Sequence, residues 1–128
     1  MRLSPAFATR VFQLAGIYGI VVLLPQYLLE WVGAFPAPLS QPEHFYGFVG
    51  VALAWQVAFL IIASDVYRYR PLMLVGVVEK LSFGLPVLGL YSGHRVTSGV
   101  LGAGLIDLVL GALFTLAFFA TRQVSRQH

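Results

Sequence analysis

Four runs of about twenty mainly apolar residues occupy most of this chain, and they decide which solvent it can fold in. They cover roughly residues 11–29, 45–64, 71–91 and 96–120. Each is long enough to cross the hydrocarbon core of a bilayer as a helix. Charged residues are only 10% of the composition, against about 25% in an ordinary soluble domain. A chain of 128 residues has too little interior to hide that much apolar surface from water, because small proteins bury a smaller fraction of what they carry. The expected fold is therefore all-α and integral to a membrane. It is an antiparallel bundle of four transmembrane helices forming a single domain over 1–128.

The few charges set the orientation. Arg2 and Arg10 precede the first run, Arg68 and Arg70 lie between the second and third, and Arg122 and Arg126 follow the fourth. Four crossings put all six on one side and leave only Arg95 on the other, so the positive-inside rule predicts both termini in the cytoplasm. The first run is longer than the apolar segment of a signal peptide and is expected to stay as a span, despite small residues such as Ala34 and Ala37 after it. Pro71 suits a first helical turn, whereas Pro25 and Pro86 fall inside spans and predict local kinks. The tight turn at 65–70 predicts that spans two and three pack as antiparallel neighbours, and the turn at 92–95 predicts the same for three and four. The outer loop at 30–44 is longer and holds Pro36, Pro38 and Pro42, with Trp31 and Phe35 expected in an interfacial aromatic belt.

Ionisable groups at bilayer depth are costly, and usually face the bundle interior beside a partner. Here they are Glu79 and Lys80 in span three and Asp107 in span four. Lys80 lies about 13 Å from the inner end at Pro71, and Asp107 about 20 Å from the inner end at Ala120, at about 1.5 Å per residue. A lysine stem can span most of that difference. Asp107 shares its helical face with Ala103, Gly104 and Gly111, and Lys80 shares its face with Gly76 and Gly84. Small residues let membrane helices approach closely, so a Lys80–Asp107 ion pair between spans three and four is predicted. Glu79 projects about 100° away around the helix, towards Gln56 and Trp55 of span two or Tyr18 of span one. The cluster can fix helix register, line a pocket for a lipid, quinone or small polar ligand, or relay protons.

Other patterns say less. Ala15 with Gly19, Gly50 with Ala54 and Ala58, and Ser98 with Gly102 are small-residue faces that fit packing within the chain or a homodimer surface. Glu43, His44 and His94 share the outer face, but lack the compact spacing of a metal site and are expected as solvated loop residues. Cysteine is absent, which excludes disulfides, thiolate metal sites and thiol nucleophiles. No phosphate-binding loop, dinucleotide turn, HExxH or nucleophile elbow occurs. Ser82 near Lys80 is too little for a hydrolase. The net charge of +3 is spread over connecting segments rather than gathered in a basic patch, so nucleic acid is not an expected partner.

Span two opens with Pro42-Glu43-His44-Phe45-Tyr46-Gly47-Phe48-Val49-Gly50-Val51-Ala52. With a second acidic residue in span four, this resembles the DoxX-like group of small bacterial four-helix membrane proteins. The resemblance implies a bacterial inner-membrane location and a left-handed bundle. Some members of that group are tied to respiratory quinone chemistry or thiol oxidation, and a chain without cysteine cannot do the thiol chemistry directly. The expected role is that of a non-catalytic accessory or lipid- or quinone-binding bundle, whose partners are the bilayer and either a second copy or another membrane protein. A membrane enzyme using Glu79 or Asp107 as acid or base, and a small oligomeric transporter, are the alternatives. No resident cofactor is expected beyond such a bound lipid or quinone.

Overall fold

Four helices form wherever the apolar runs lie: α1 Pro5–Trp31, α2 Pro42–Ser64, α3 Arg70–Ser92 and α4 Ser98–Ala120. The computed structural model describes residues 4–34 and 39–122. Arg2, Phe35, Pro36, Ala37, Pro38 and Arg126, which enter the orientation, signal-peptide and interface readings, lie outside the described residues. α1 has 27 residues and the others 23 each, or about 40 and 35 Å at roughly 1.5 Å per residue. All four are long and apolar enough to cross a membrane.

Local chemistry explains the boundaries. α1 starts six residues before the apolar run because Ser4 caps it, its Oγ accepting from Phe7 N at 3.4 Å, with Pro5 in the first turn. A serine at that position satisfies one of the orphan amides of a first turn, and proline there loses nothing. Thr97 does the same for α4, its Oγ1 accepting from Val100 N at 3.3 Å. Pro42 and Pro71 both sit in first turns. α1 and α3 end alike: Ala34 N donates to Leu29 O and Gly33 N to Glu30 O, as Arg95 N does to Leu90 O and His94 N to Tyr91 O. This double-bonded cap needs a left-handed residue after the helix. Gly33 fills it with φ 77° in α1, and His94 with φ 58° in α3. Both helices run unbroken through Pro25 and Pro86.

The helices pack in two tight pairs, α1 with α2 and α3 with α4. α1 also packs against α4, closing the bundle along that side. The α2–α3 seam has the least contact of the four, so these helices are the neighbours the tight turn predicts but only loosely packed ones. That turn is held by its own bonds, Arg68 N to Asp65 Oδ1 at 3.1 Å and Tyr69 N to Asp65 O at 3.1 Å. A short link brings two helix ends together, and only side chains of the right size can bring the rest into register.

Glycine makes the tight pairs tight. A Cβ at Gly16 would stand 2.8 Å from the Gln56 carbonyl oxygen, so α1 and α2 approach backbone to side-chain-free backbone. A Cβ at Gly104 would meet Val87 Cγ1 at 2.7 Å, and one at Gly84 would meet the Gly104 carbonyl oxygen at 3.1 Å. The end of the bundle holding Ser4, the α2–α3 turn and Thr121 is densely filled. Phe12 stacks on Phe114 with ring centroids 4.2 Å apart, and Phe59 meets Phe114 edge-on at 4.9 Å. Ala8, Ile62, Met73 and Ala117 pack around this trio. Arg70 locks the same end: its Nε donates to Phe118 O at 3.0 Å and to Thr121 Oγ1 at 3.1 Å, and its guanidinium lies 3.6 Å over the Phe118 ring. A cation there satisfies late carbonyls of α4 and opposes the negative end of its dipole.

Because valine is stiff at χ1, Gly104→Ala has to push α3 away from α4 and should cost about 1–3 kcal/mol. Gly102, whose Cβ would meet nothing within 4 Å, is the control. Titration with SDS in mixed micelles should shift the unfolding midpoint for Gly104→Ala only. Equal midpoints would sink the close-approach argument.

Candidate functional site

The other half of the bundle is hollow. Towards the loop that links α3 and α4, a cavity of about 490 Å³ lies between all four helices. Tyr18, Gln56, Glu79, Lys80 and Asp107 are among its lining, with Lys80 beside the aromatic trio, and Gln26, Ser82 and Thr97 line it as well. Lys80 is 3% exposed, and its Nζ sits 5.1 Å from the Phe59 ring centre. Its Cβ packs on Gly111, and the stem climbs about one turn to bring Nζ within 3.5 Å of Asp107 Oδ1. The expected ion pair between α3 and α4 is therefore present.

Glu79 departs from the expectation. Its carboxylate makes no hydrogen bond to Gln56, Trp55 or Tyr18, and instead lies 3.5 Å from Nζ of its own neighbour Lys80. A lysine long enough to reach Asp107 also folds past the adjacent carboxylate, which the angular separation of the two residues on the helix concealed. Both Nζ–O separations exceed the roughly 2.7–3.2 Å of a good hydrogen bond, so the ammonium stands between two carboxylates rather than docking on either. One positive charge faces two acidic groups.

Gln56, only 1% exposed, turns its Nε2 along its own helix to donate to Ala52 O at 2.8 Å. That bond fixes which end of the amide is which, and leaves Oε1 without a partner. The amide lies over Gly19, where any Cβ would collide with it. Tyr18 lines the same cavity as Asp107. Trp55 lies instead on the α2–α3 seam, 6.1 Å from Phe59 ring to ring. There it lines a surface cleft of about 400 Å³ that shares Phe48, Ala52, Glu79 and Ser82 with the main cavity. Ser82 Oγ is used within α3, donating to Glu79 O at 2.7 Å.

The structure thus brings Lys80, Glu79, Asp107, Gln56 and Tyr18 to one cavity and sets Trp55 beside it. Reasoning from sequence missed the aromatic trio and the pair formed by Phe48 of α2 and Phe83 of α3, stacked at 5.7 Å across the seam. The spacing of Ala15 and Gly19 was the available signal for Gln56, since the side chain opposite such a gap can lie flat against it. Glu43, His44 and His94 do not converge: among the described residues no group of three or more His, Asp or Glu side chains is placed to hold a metal ion.

The triad sets a non-additive test. Lys80→Met leaves two carboxylates facing each other and should destabilise the bundle by on the order of 3–5 kcal/mol. Adding Asp107→Leu should recover only part of this, because Glu79 stays uncompensated. The triple variant with Glu79→Gln should recover more. SDS unfolding midpoints of the series report it, and full recovery in the double variant would show that Glu79 is no part of the cluster.

Searches against protein-family models, curated proteins and solved structures find no match to this chain, so the functional reading rests on the geometry above.

Proposed function

We propose that this chain is a multi-pass membrane protein that binds a lipid-soluble molecule in its central cavity and performs no chemistry on it. The outward faces of all four helices support the membrane reading. Val21, Val51, Val78 and Val109 are all well exposed, an arrangement water would not tolerate over a whole surface. Arg10, Arg68, Arg70 and Arg122 gather at one end and Arg95 stands at the other, which supports both termini on the cytoplasmic side. A bacterial inner membrane and kinship with the DoxX-like group belong to the same proposal, on the span number and the residues that open α2.

The observation that carries the binding reading is the cavity itself: about 490 Å³, within the usual range for small-molecule sites of roughly 300–1,000 Å³. Its walls are mainly apolar, and Lys80, Glu79 and Asp107 converge among them. That division suits an amphipathic molecule of lipid or quinone type. The thinly packed α2–α3 seam gives such a molecule a way in from the side.

The chain has no cysteine, so single-cysteine labelling needs no background removal. Ser40→Cys should react with an impermeant maleimide in intact spheroplasts, and Tyr67→Cys only after permeabilisation. The reverse pattern would invert the topology. For binding, native mass spectrometry of gently extracted protein should find a stoichiometric small molecule that is lost in Glu79→Gln or Asp107→Asn. A bare protein, unchanged by either substitution, would mean that the polar cluster only locks the helices.

A further inference from the structure

The buried polar groups of the cavity that lack a hydrogen bond are of one kind. Gln56 Nε2 is committed to Ala52 O, Ser82 Oγ to Glu79 O, and Lys80 Nζ is shared between two carboxylates above the Phe59 ring. What is buried without a hydrogen bond is Gln56 Oε1 and Glu79 Oε2, both acceptors, the latter being the atom that faces Lys80 Nζ at 3.5 Å. Leaving a buried acceptor unmade is costly, and more so for a charged one. The charge count points the same way, since one ammonium faces two carboxyl groups and the triad is short of one positive charge when both are ionised. Tyr18, Phe48 and Phe83 line the remaining space, and aromatic faces attract cations.

Building on the binding reading above, we propose that the cavity takes an ammonium head group on an apolar tail: a lipophilic primary amine. Its N–H groups answer Gln56 Oε1 and Glu79 Oε2, its charge completes the triad beside Asp107, and its tail lies along the apolar wall towards the α2–α3 seam. An anionic head would add a third negative charge to the same corner. A head offering only carbonyl oxygens would bring acceptors to a site whose buried open positions are acceptors already. The ammonium can belong to a free amine or to an aminophospholipid head group, and the chemistry at the triad is the same for both.

Three probes with one tail and different heads separate the cases: nonylammonium, nonanol and nonanoate at neutral pH. Trp31→Phe leaves Trp55, beside Glu79 on the seam, as the one tryptophan of the two in the chain, and its fluorescence reports occupancy of the full-length protein in micelles. Nonylammonium should saturate at least about ten-fold tighter than nonanol, the scale of one hydrogen bond to a charged group, with nonanoate weakest. Glu79→Gln and, independently, Gln56→Leu should erase most of the ammonium preference while nonanol binding persists, which also shows that each variant is folded. Equal binding of all three probes, or preference for nonanoate, overturns the ammonium assignment and leaves the binding reading standing. Saturable binding by none of them overturns both. Displacement of nonylammonium by dihexanoyl phosphatidylethanolamine, but not by dihexanoyl phosphatidylcholine, assigns the head group to a lipid. Failure of both lipids to displace it assigns a free amine.

Discussion

A lysine ammonium that is 3% exposed in an apolar bundle has to be surrounded by groups that answer its charge, and much of the architecture follows from how this is done. Removing an ion from water costs several kcal/mol even after relaxation, on the order of magnitude of the whole stability of a small domain. Lys80 meets that cost with Asp107 from the neighbouring helix, Glu79 from its own, and the face of Phe59 from a third. To bring Asp107 within reach, α3 and α4 must run side by side at close range, and Gly84, Gly104 and Gly111 provide the missing side chains that allow it. To bring Phe59 beneath the ammonium, α2 must meet α4 through Phe114, and Gly76 leaves room for both rings. The ion pair and the glycines are one device.

The two ends of the bundle then differ for a physical reason. At the end holding Ser4 and Thr121, large rings and the Arg70 clamp fill the space between helices. Towards the other end the triad occupies the axis, and charged groups do not pack against one another as rings do. In the proposed membrane setting no hydrophobic force squeezes the helices together above them, because the surrounding lipid chains are as apolar as the side chains. The space opens where packing is thinnest, along α2–α3, and the aromatic pair Phe48–Phe83 bridges it.

Much of this was legible in the residues themselves. Four apolar runs gave four helices, and the Lys80–Asp107 pair followed from depth and from the glycines flanking each residue. Two features were not legible. Loop length pointed to α2 and α3 as neighbours but not to how loosely they pack, because a turn constrains only the ends it joins; Gly16 and Gly104 mark the close seams, whereas on the α2–α3 seam Gly76 makes room only for the Phe59 ring. The partner of Glu79 was sought across the bundle because it points away from Lys80 around the helix, yet a lysine with four methylenes is not confined to the direction of its Cβ. Helix start points also moved, by six residues in α1, because Ser4 and Pro5 act through backbone amides and apolar patterns carry no record of that.

Gln56 shows what the interior of this bundle leaves undone. In water, an amide with one open acceptor recruits a solvent molecule. Here Nε2 bonds to its own helix and Oε1 is pressed towards Gly19, beside a cavity whose nearest donor, Lys80, is already divided between two carboxylates. A residue serving helix register alone would be replaced without loss by leucine, which fills the same space and strands no acceptor. The glutamine keeps an acceptor without a hydrogen bond beside the corner where one ammonium faces two carboxyl groups, and the proposed binding rests on that coincidence.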